Sequence, residues 1–262
     1  MDKCDKNCES CKNKTSCNLK NKTSSIKKII AVGSGKGGVG KSLVSSLIAT
    51  KLQKDGLKVG ILDADITGAS IPKIFGIKDK ITTSKDGIIP ITSKIGIKIV
   101  SINMFIENET DPIIWRGPLL SNTVIQFYKD TLWGDLDCLI IDMPPGTSDI
   151  VLTIYQSIPI DDVIIVTTPQ ELVSLIVEKS FNMARKMNKN VLGLVENMSY
   201  LQCGKCGNKI EIFGKSKTND LAIKLKTKVI EKIPLDIELS KYIDNGKIED
   251  YKNNLFKNLI LD

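Results

Sequence analysis

Histidine is absent from this 262-residue chain. Without an imidazole, the chain has no Ser-His-Asp or Cys-His nucleophile, no histidine-ligated zinc and no haem held by histidine. Long apolar runs are absent as well, since no stretch reaches the roughly eighteen apolar residues of a membrane span. The amino terminus is polar and lacks the apolar core of a signal peptide. We therefore expect a cytoplasmic protein that has no membrane partner.

A strongly basic folded body is also lacking, although the formal net charge of the chain is +7. Residues 1–28 contain eight lysines and three acidic residues, which leaves 29 basic and 27 acidic residues in the remainder. Binding to a phosphate backbone requires a basic surface on the folded body, whereas a short lysine-rich segment is typically solvated. We therefore expect no nucleic-acid partner.

Apolar runs and helical patterns alternate along the chain from residue 28 onward. Two segments, 43–52 and 172–187, carry apolar residues at helical spacing. The predicted buried strands are 29–32, 58–62, 96–102, 138–141, 163–166 and 191–195. Strands that alternate with helices indicate a mostly parallel sheet covered on both faces. The predicted fold class is therefore α/β and doubly wound, with residues 28–262 as one domain and residues 1–27 as a short tail.

The seven cysteines of the chain are unevenly distributed. In a reducing compartment a disulfide framework is not expected, so clustered cysteines indicate metal binding or redox chemistry. Cys138 lies alone in a predicted buried strand, where a small core side chain is expected. The other six form an amino-terminal cluster and a C-x-x-C pair: Cys4, Cys8, Cys11 and Cys17, then Cys203 and Cys206.

A glycine-rich segment follows the first predicted strand and precedes a predicted helix. It matches the phosphate-binding pattern G-x-x-x-x-G-K-[ST] and consists of Gly35, Lys36, Gly37, Gly38, Val39, Gly40, Lys41 and Ser42. In this pattern the glycines let successive N–H groups face the phosphates, and the helix start adds its positive dipole end. Lys41 supplies a charge to the outer phosphates, and Ser42 offers a hydroxyl to Mg²⁺. The segment therefore predicts a site for ATP and Mg²⁺.

Three carboxylates follow buried strands in the part of the chain after this loop. Asp63 and Asp65 come after the strand 58–62, and alternation along an extended chain directs both to one side. Asp142 comes after the strand 138–141. Because ligands bind at the carboxyl ends of the strands in such folds, we expect the three carboxylates to lie near the phosphates.

The second lysine of the loop, Lys36, makes the segment resemble the deviant Walker A ATPases, whose loop reads K-G-G-x-G-K-[ST]. The resemblance implies that Lys36 reaches the γ-phosphate of ATP held by a partner subunit, in a homodimer with ATP at its interface. It also implies that Asp65 orients the attacking water, that Asp63 supports the magnesium site and that Asp142 is the Walker B carboxylate. Lys36, Lys41 and Asp65 are thus the predicted catalytic residues.

Four further segments resemble the Mrp/ApbC/Nbp family of iron-sulfur cluster carrier ATPases. They read DADITGASIP at 63–72, DMPPGTSD at 142–149, ENMS at 196–199 and CGKC at 203–206. The resemblance runs from about residue 28 to about residue 237. It implies a 4Fe-4S cluster bound through Cys203 and Cys206, ATP hydrolysis coupled to cluster handling, and transfer of the cluster to apo client proteins. Asn197 matches the position from which the deviant Walker A group reads the adenine ring.

The number of thiolates in the C-x-x-C pair bears on the oligomeric state. A 4Fe-4S cluster or a structural zinc needs about four protein ligands, whereas Cys203 and Cys206 supply two. Two copies that meet across a twofold axis complete a four-thiolate site, which agrees with a homodimer. Zinc remains an alternative because thiolate sites suit either metal. A thioredoxin-like redox pair is a further alternative, although such a pair opens a helix and this one lies in a glycine-flanked loop.

The amino-terminal cysteines, spaced C-x3-C-x2-C-x5-C, offer four thiolates in one chain. They predict a second metal site that holds either an iron-sulfur cluster or zinc. The C-x2-C-x5-C portion resembles the amino-terminal extension of the Nbp branch, in which the first cysteine lies much farther upstream. The short gap between Cys4 and Cys8 departs from that pattern.

Two other functions use a similar fold. A partition or division-site positioning ATPase uses the same loop as a nucleotide-gated switch on DNA or membrane, and it has no need of Cys203 and Cys206. An ATP-driven reductase of the nitrogenase iron-protein kind carries its cluster cysteines in other parts of the fold. The C-x-x-C pair therefore favours the carrier over both alternatives.

Overall fold

The computed structural model describes residues 24–66, 68–105, 117–170, 172–252 and 254–259. Within these ranges the strands are β1 (Ser25–Ser34), β2 (Val59–Asp63), β3 (Thr82–Thr83), β4 (Ile88–Ile89), β5 (Ile91–Thr92), β6 (Lys98–Ser101), β7 (Asp135–Asp142), β8 (Asp162–Thr167), β9 (Asn190–Glu196), β10 (Leu201–Gln202), β11 (Lys209–Ile210) and β12 (Val229–Lys232). The α-helices are α1 (Lys41–Lys54), α2 (Ile71–Ile74), α3 (Gly117–Asp130), α4 (Asp149–Ser157), α5 (Leu172–Lys186), α6 (Thr218–Lys224) and α7 (Ile237–Asp244). Short 3-10 turns occupy Ile102–Met104 and Ile248–Asp250.

Eight of the described strands form one sheet in the order β12-β9-β8-β1-β7-β2-β6-β5. Neighbouring strands in it are parallel, except for the antiparallel pair of β5 and β6 at one edge. β7 lies between β1 and β2, and its last residue, Asp142, is in register with Val32 and with Asp63. The carboxyl ends of these three strands therefore meet at one edge of the sheet, where the glycine-rich loop begins.

Apolar side chains alternate between the two faces of the sheet. Along β1, Ile29 and Ala31 pack on one face, and Ile30 and Val32 pack on the other. Helices α3, α4, α5 and α6 cover the first face, and α1, α2 and α7 cover the second. Each square ångström of apolar surface removed from water contributes roughly 25 cal/mol, which fixes these helices on the sheet. The start of α1 is thereby held at the sheet edge that carries the carboxylates.

The predicted doubly wound α/β class is confirmed, and a strand lies at each of the six predicted positions. The prediction over 96–102 ends too late, because Ile102 already belongs to a 3-10 turn after β6. β12 was not among the predicted strands; its residues are all half-buried at the sheet edge and mix apolar with charged side chains. β1 begins at Ser25, three residues before the predicted start of the domain.

Two parts of the chain lie outside the sheet. Residues 199–217, which we term the cysteine excursion, connect β9 to α6 and contain the antiparallel ribbon of β10 and β11. Cys203 and Cys206 lie in the tip of this ribbon. The predicted amino-terminal ligands Cys4, Cys8, Cys11 and Cys17 fall outside the described residues.

Candidate functional site

The phosphate loop, residues 35–40, connects the carboxyl end of β1 to the first turn of α1. Gly38 and Gly40 have φ angles of +78° and +82°, in the left-handed region that glycine tolerates without strain. Gly40 also packs on Asn197, since a Cβ built on this glycine would lie 2.2 Å from Asn197 Nδ2. Gly37 and Gly38 are exposed, so the loop presents backbone to the solvent in front of α1.

Lys41 is a buried cation at the start of α1. Its Nζ lies 2.9 Å from Asp142 Oδ2 and 3.4 Å from Asp65 Oδ2, and its side chain is 6% exposed. Burial lowers the pKa of Lys41, but the charges of Asp142 and Asp65 outweigh burial and leave the pKa raised. A protonated lysine is therefore held beside the phosphate loop.

Asp142, at the end of β7, is fully buried and accepts hydrogen bonds from two hydroxyls of α1. Ser42 Oγ donates to Oδ2 at 2.5 Å, and Ser45 Oγ donates to Oδ1 at 2.7 Å. Hydroxyl and carboxylate oxygens are the hard ligands that Mg²⁺ prefers. The chemistry of Ser42 and Asp142 therefore fits a magnesium ion at this point of the loop.

Asp63 lies at the end of β2 and has no exposed surface. Ser101 Oγ donates to its Oδ2 at 2.9 Å, and the backbone N–H of Asp65 donates to its Oδ1 at 3.3 Å. Burial, followed by the negative charge of Asp142, raises the pKa of Asp63 from 3.8 to about 7. Asp63 therefore takes up a proton readily near neutral pH.

An open cleft of about 560 Å³ lies in front of these residues. The phosphate loop lines it together with Lys41, Ser42 and Asp65, and Lys73 of α2 and Asp244 of α7 form part of the surrounding wall. Sites for cofactors usually measure about 300–1,000 Å³. The cleft therefore has room for a nucleotide phosphate chain beside the buried lysine.

Lys36 lines the same cleft and is half-buried. Its Nζ donates to Gln170 Oε1 at 2.8 Å. Within one chain this lysine is thus held by an uncharged partner, whereas Lys41 is surrounded by carboxylates. The two lysines of the loop occupy different electrostatic environments.

Asn197 follows β9 and lies against the phosphate loop. Its Nδ2 donates to the carbonyl oxygen of Val39 at 2.9 Å, and its backbone N–H donates to the carbonyl of Thr167 at 2.8 Å. The residue is 2% exposed. The structure therefore gives Asn197 a role in supporting the loop, and its contact with an adenine ring stays a prediction.

The cysteine pair lies apart from the carboxylates, in the tip of the β10–β11 ribbon. Cys203 is half-buried and Cys206 is exposed. The turn is closed by two backbone hydrogen bonds of 2.9 Å, from Cys203 N–H to Asn208 and from Gly207 N–H to Cys203. Hydrogen bonds from the backbone N–H groups of Cys206 and Lys205 lower the pKa of the Cys203 thiol. Because thiolates are the metal-binding form of cysteine, this turn favours a metal ligand.

The surroundings of the pair are accessible and partly apolar. Ile210, Ile212 and Phe213 are exposed large apolar side chains just after the turn. A cavity of about 530 Å³ is lined by Cys203 and by the segment 234–238 after β12. No group of three or more cysteine, aspartate or glutamate side chains suited to a metal occurs in the part of the chain that the structure describes. Within the described residues, the pair thus offers two thiols and no third side chain of these types beside them.

Four polar residues that support these sites had no predicted role: Ser45, Ser101, Gln170 and Glu196, the last of which lies in the segment ENMS at 196–199. Ser45 lies three residues after Ser42, and this helical spacing was an available sign that both hydroxyls face one side of α1. Ser101 and Gln170 meet Asp63 and Lys36 only in the folded chain, as Glu196 meets Ser216 and Thr218.

Comparisons with known proteins agree with this geometry. Residues 25–260 match the family described as ParA, NUBPL iron-transfer P-loop NTPase. A protein of Clostridium perfringens described as an iron-sulfur cluster carrier protein is 45% identical, over 93% of this chain and 94% of its own length. A protein of Methanocaldococcus jannaschii with the same description is 43% identical, over 94% of this chain and 90% of its own length.

Solved structures are similar as well. A nucleotide-binding protein of Archaeoglobus fulgidus, in complex with ADP and with cobalt found in it, has a TM-score of 0.78 and 43% identity over 87% of this chain and 90% of its own. The cell division ATPase MinD of Pyrococcus furiosus has a TM-score of 0.62 at 20% identity, over 85% of this chain and 90% of its own, and shows the shared fold. None of the helices in the described ranges is both long and apolar enough to cross a membrane.

Proposed function

Because the chain belongs to the family of NUBPL iron-transfer P-loop NTPases, we propose that it carries an iron-sulfur cluster to apo client proteins while binding and hydrolysing ATP. The observation that carries the proposal is the occurrence, in one chain, of a charged phosphate site and an accessible C-x-x-C turn. Relatives described as iron-sulfur cluster carrier proteins, similar over more than nine tenths of this chain, support it.

The proposed ATP site is the cleft in front of Lys41. The N–H groups of the phosphate loop and the Lys41 ammonium would bind the outer phosphates, and Ser42 and Asp142 would hold Mg²⁺. When bound, the metal supplies positive charge that stabilises the negative charge developing on the phosphates. Asp65 lines the cleft beside Lys41 and would orient the attacking water.

The proposed cargo is a 4Fe-4S cluster held between two chains. Cys203 and Cys206 of each chain would supply four thiolates across a twofold axis, which is the number such a cluster needs. The exposed apolar side chains of Ile210, Ile212 and Phe213 beside the turn support a surface that another chain covers. In the same homodimer, Lys36 would leave Gln170 and reach the γ-phosphate held by the partner subunit.

The amino-terminal cysteines Cys4, Cys8, Cys11 and Cys17 remain a proposed second metal site. Four thiolates in one short segment suit either a stable iron-sulfur cluster or zinc. Replacing all four with serine, and measuring iron and zinc on the purified full chain, separates the two metals.

The cluster proposal is tested by metal content. Iron, acid-labile sulfide and zinc are measured on anaerobically purified full-length protein and on a Cys203→Ser, Cys206→Ser double variant, with Cys138→Ala as a matched loss of a buried thiol. We expect the double variant to lose about four irons per dimer and the control to lose none. Unchanged iron in the double variant would refute the bridging cluster. Iron missing from every protein after reconstitution would favour a positioning ATPase.

The dimer proposal is tested by mixing two inactive variants, Lys36→Ala and Asp65→Ala. If Lys36 acts on the partner's nucleotide, each mixed dimer contains one site with both groups intact. Random mixing then restores about a quarter of wild-type ATP turnover. If Lys36 acts within its own chain, the mixed dimers contain no complete site and the mixture stays inactive.

A further inference from the structure

Glu196, the last residue of β9, is a fully buried carboxylate outside the ATP cleft. Its side chain accepts hydrogen bonds from three hydroxyls, those of Ser199, Ser216 and Thr218. Lys232 Nζ, from the adjacent strand β12, lies 3.6 Å from its Oε1. Burying a carboxylate costs several kcal/mol unless hydrogen bonds and an opposite charge compensate it. Three hydroxyls and one ammonium compensate the burial of Glu196, although this carboxylate takes no part in the phosphate site.

The three hydroxyls lie at the two ends of the cysteine excursion. Ser199 is its first residue, Ser216 is close to its last, and Thr218 begins α6 directly after it. One carboxylate thus joins the entry and the exit of the segment that presents the cysteines. The backbone reinforces the entry, because the N–H of Ser199 donates to the carbonyl of Ile233 at 2.9 Å.

The next residue, Asn197, connects the same strand end to the phosphate loop. Glu196 contacts the two ends of the excursion, whereas Asn197, in the turn directly after β9, contacts the phosphate loop. The carboxamide of Asn197 donates to the carbonyl of Val39. Gly40 has no side chain, so the carboxamide can lie directly against the backbone of the phosphate loop. The strand end that holds both ends of the excursion is therefore in direct contact with the phosphate loop.

We propose that Glu196 is a positioning residue that couples the nucleotide site to the C-x-x-C turn. The bistable element is the excursion, whose two short strands and exposed tip have little packing of their own. Phosphate binding moves the loop against Asn197, and the hydroxyl clamp on Glu196 passes that movement to the base of the ribbon. The purpose of this coupling rests on the proposed carrier function, because it would let ATP control how the cysteines hold their cargo.

The test measures the thiol reactivity of Cys206, which does not line the cavity next to residues 234–238 and so is not shielded by a ligand there. Full-length protein freed of metal by a chelator is alkylated with iodoacetamide, with and without saturating Mg-ADP, and each cysteine peptide is quantified by mass spectrometry. We expect Mg-ADP to change the Cys206 rate about fivefold in the wild type. In Glu196→Gln this response should fall below about twofold while the affinity for Mg-ADP is retained.

Glu249→Gln is the matched control. Glu249 is also a buried carboxylate, 6% exposed, and accepts hydrogen bonds from Ser93 Oγ at 2.6 Å and from the N–H of Ile95 at 3.4 Å. It lies far from the excursion in the chain, so its variant should lose stability and keep the full fivefold response. A full response in Glu196→Gln, or no response in the wild type, would overturn the proposal.

Two milder variants cover the case in which Glu196→Gln does not fold. Ser199→Ala and Ser216→Ala each remove one hydroxyl of the clamp, at the entry and the exit of the excursion. A reduced response in both supports the coupling, and a full response in both overturns it. Since the assay needs no iron, its result is independent of the metal analysis: failure of the cluster proposal leaves the alkylation outcome intact, and the reverse also holds.

Discussion

The phosphate site and the cysteine turn are built in opposite ways. At the phosphate site Lys41, Asp142 and Asp63 are buried. These residues and their partners come from three strands of the main sheet and from helix α1. At the cysteine turn, Cys203 and Cys206 lie near the surface on a ribbon with two residues in each strand. Charge stabilisation of a reacting phosphate needs preorganised groups in a dry site, whereas a cargo site needs access. The buried charges of the phosphate site are thus brought together within one chain, whereas the C-x-x-C turn offers two thiols near the surface.

The largest expected effect is the loss of ATP turnover when the buried lysine is removed. In Lys41→Ala, ATP turnover should fall about 10²- to 10³-fold, because a preorganised charge at the phosphates is lost. Iron bound through the cysteine turn should be unchanged. Single-turnover hydrolysis and iron content are measured in parallel. Lys51→Ala, on the same helix but in a surface ion pair with Asp55, is the control and should stay within about twofold. A loss smaller than tenfold in Lys41→Ala would contradict the site.

The thiol of Cys203 in the turn should react much faster than the thiol of Cys138 in the sheet. Burial raises the pKa of Cys138 to about 12, whereas backbone hydrogen bonds lower the pKa of Cys203. The test uses metal-free folded protein at about pH 7.5. Cys203 should react with iodoacetamide at least about 100-fold faster than Cys138, which reacts only after local opening. Peptide mass spectrometry gives both rates. The difference should vanish in urea, and equal rates in the folded chain would contradict it.

The raised pKa of Asp63 predicts a pH effect on the phosphate-site side. The folded state binds a proton up to about pH 7, while the unfolded carboxyl releases it near 3.8. Its contribution to stability is therefore lost as pH rises between these two values. Asp63→Asn removes this loss. The free energy of unfolding of the variant, relative to the wild type, should therefore rise by about 2–3 kcal/mol from about pH 5 to about pH 8.

Urea unfolding at several pH values, without nucleotide and with a chelator, measures this gain. Asp137→Asn provides the control, because Asp137 pairs with Lys27 at the surface and its pKa is lowered. A free-energy difference between Asp63→Asn and the wild type that stays constant with pH would show that Asp63 is ionised throughout.

A smaller effect should come from the wall of the ATP cleft formed by α2 and α7. Gly246 has a φ of +65°, and a Cβ there would lie 2.4 Å from the Cα of Gly76. Gly246→Ala should cost about 2 kcal/mol of stability, since strain and a backbone clash add together. Gly56→Ala, at a φ of +93° in open space, should cost about 1 kcal/mol and serves as the control. Equal melting temperatures of the two variants would show that the backbone at Gly76 and Gly246 moves apart at no cost in stability.

Much of the fold was predictable because its signals are local. Runs such as Ile29 to Val32 have no polar residue to face solvent, so they had to be buried strands. The glycine-rich loop could also be predicted from the sequence, because a phosphate site needs flexible backbone followed by a helix start. β12 escaped prediction because an edge strand buries little and its mixed residues resemble a loop.

The sequence by itself determined the sheet-forming runs, the phosphate loop and the number of thiolates that each chain can offer. These are properties of neighbouring residues, whose spacing alone sets their geometry. The tertiary structure decided which distant groups meet: Ser42 and Asp142, 100 residues apart, share a hydrogen bond only because β7 lies beside β1. It also decided that Glu196 joins both ends of the cysteine excursion, because a strand end surrounded by loop hydroxyls exists only after the sheet has formed.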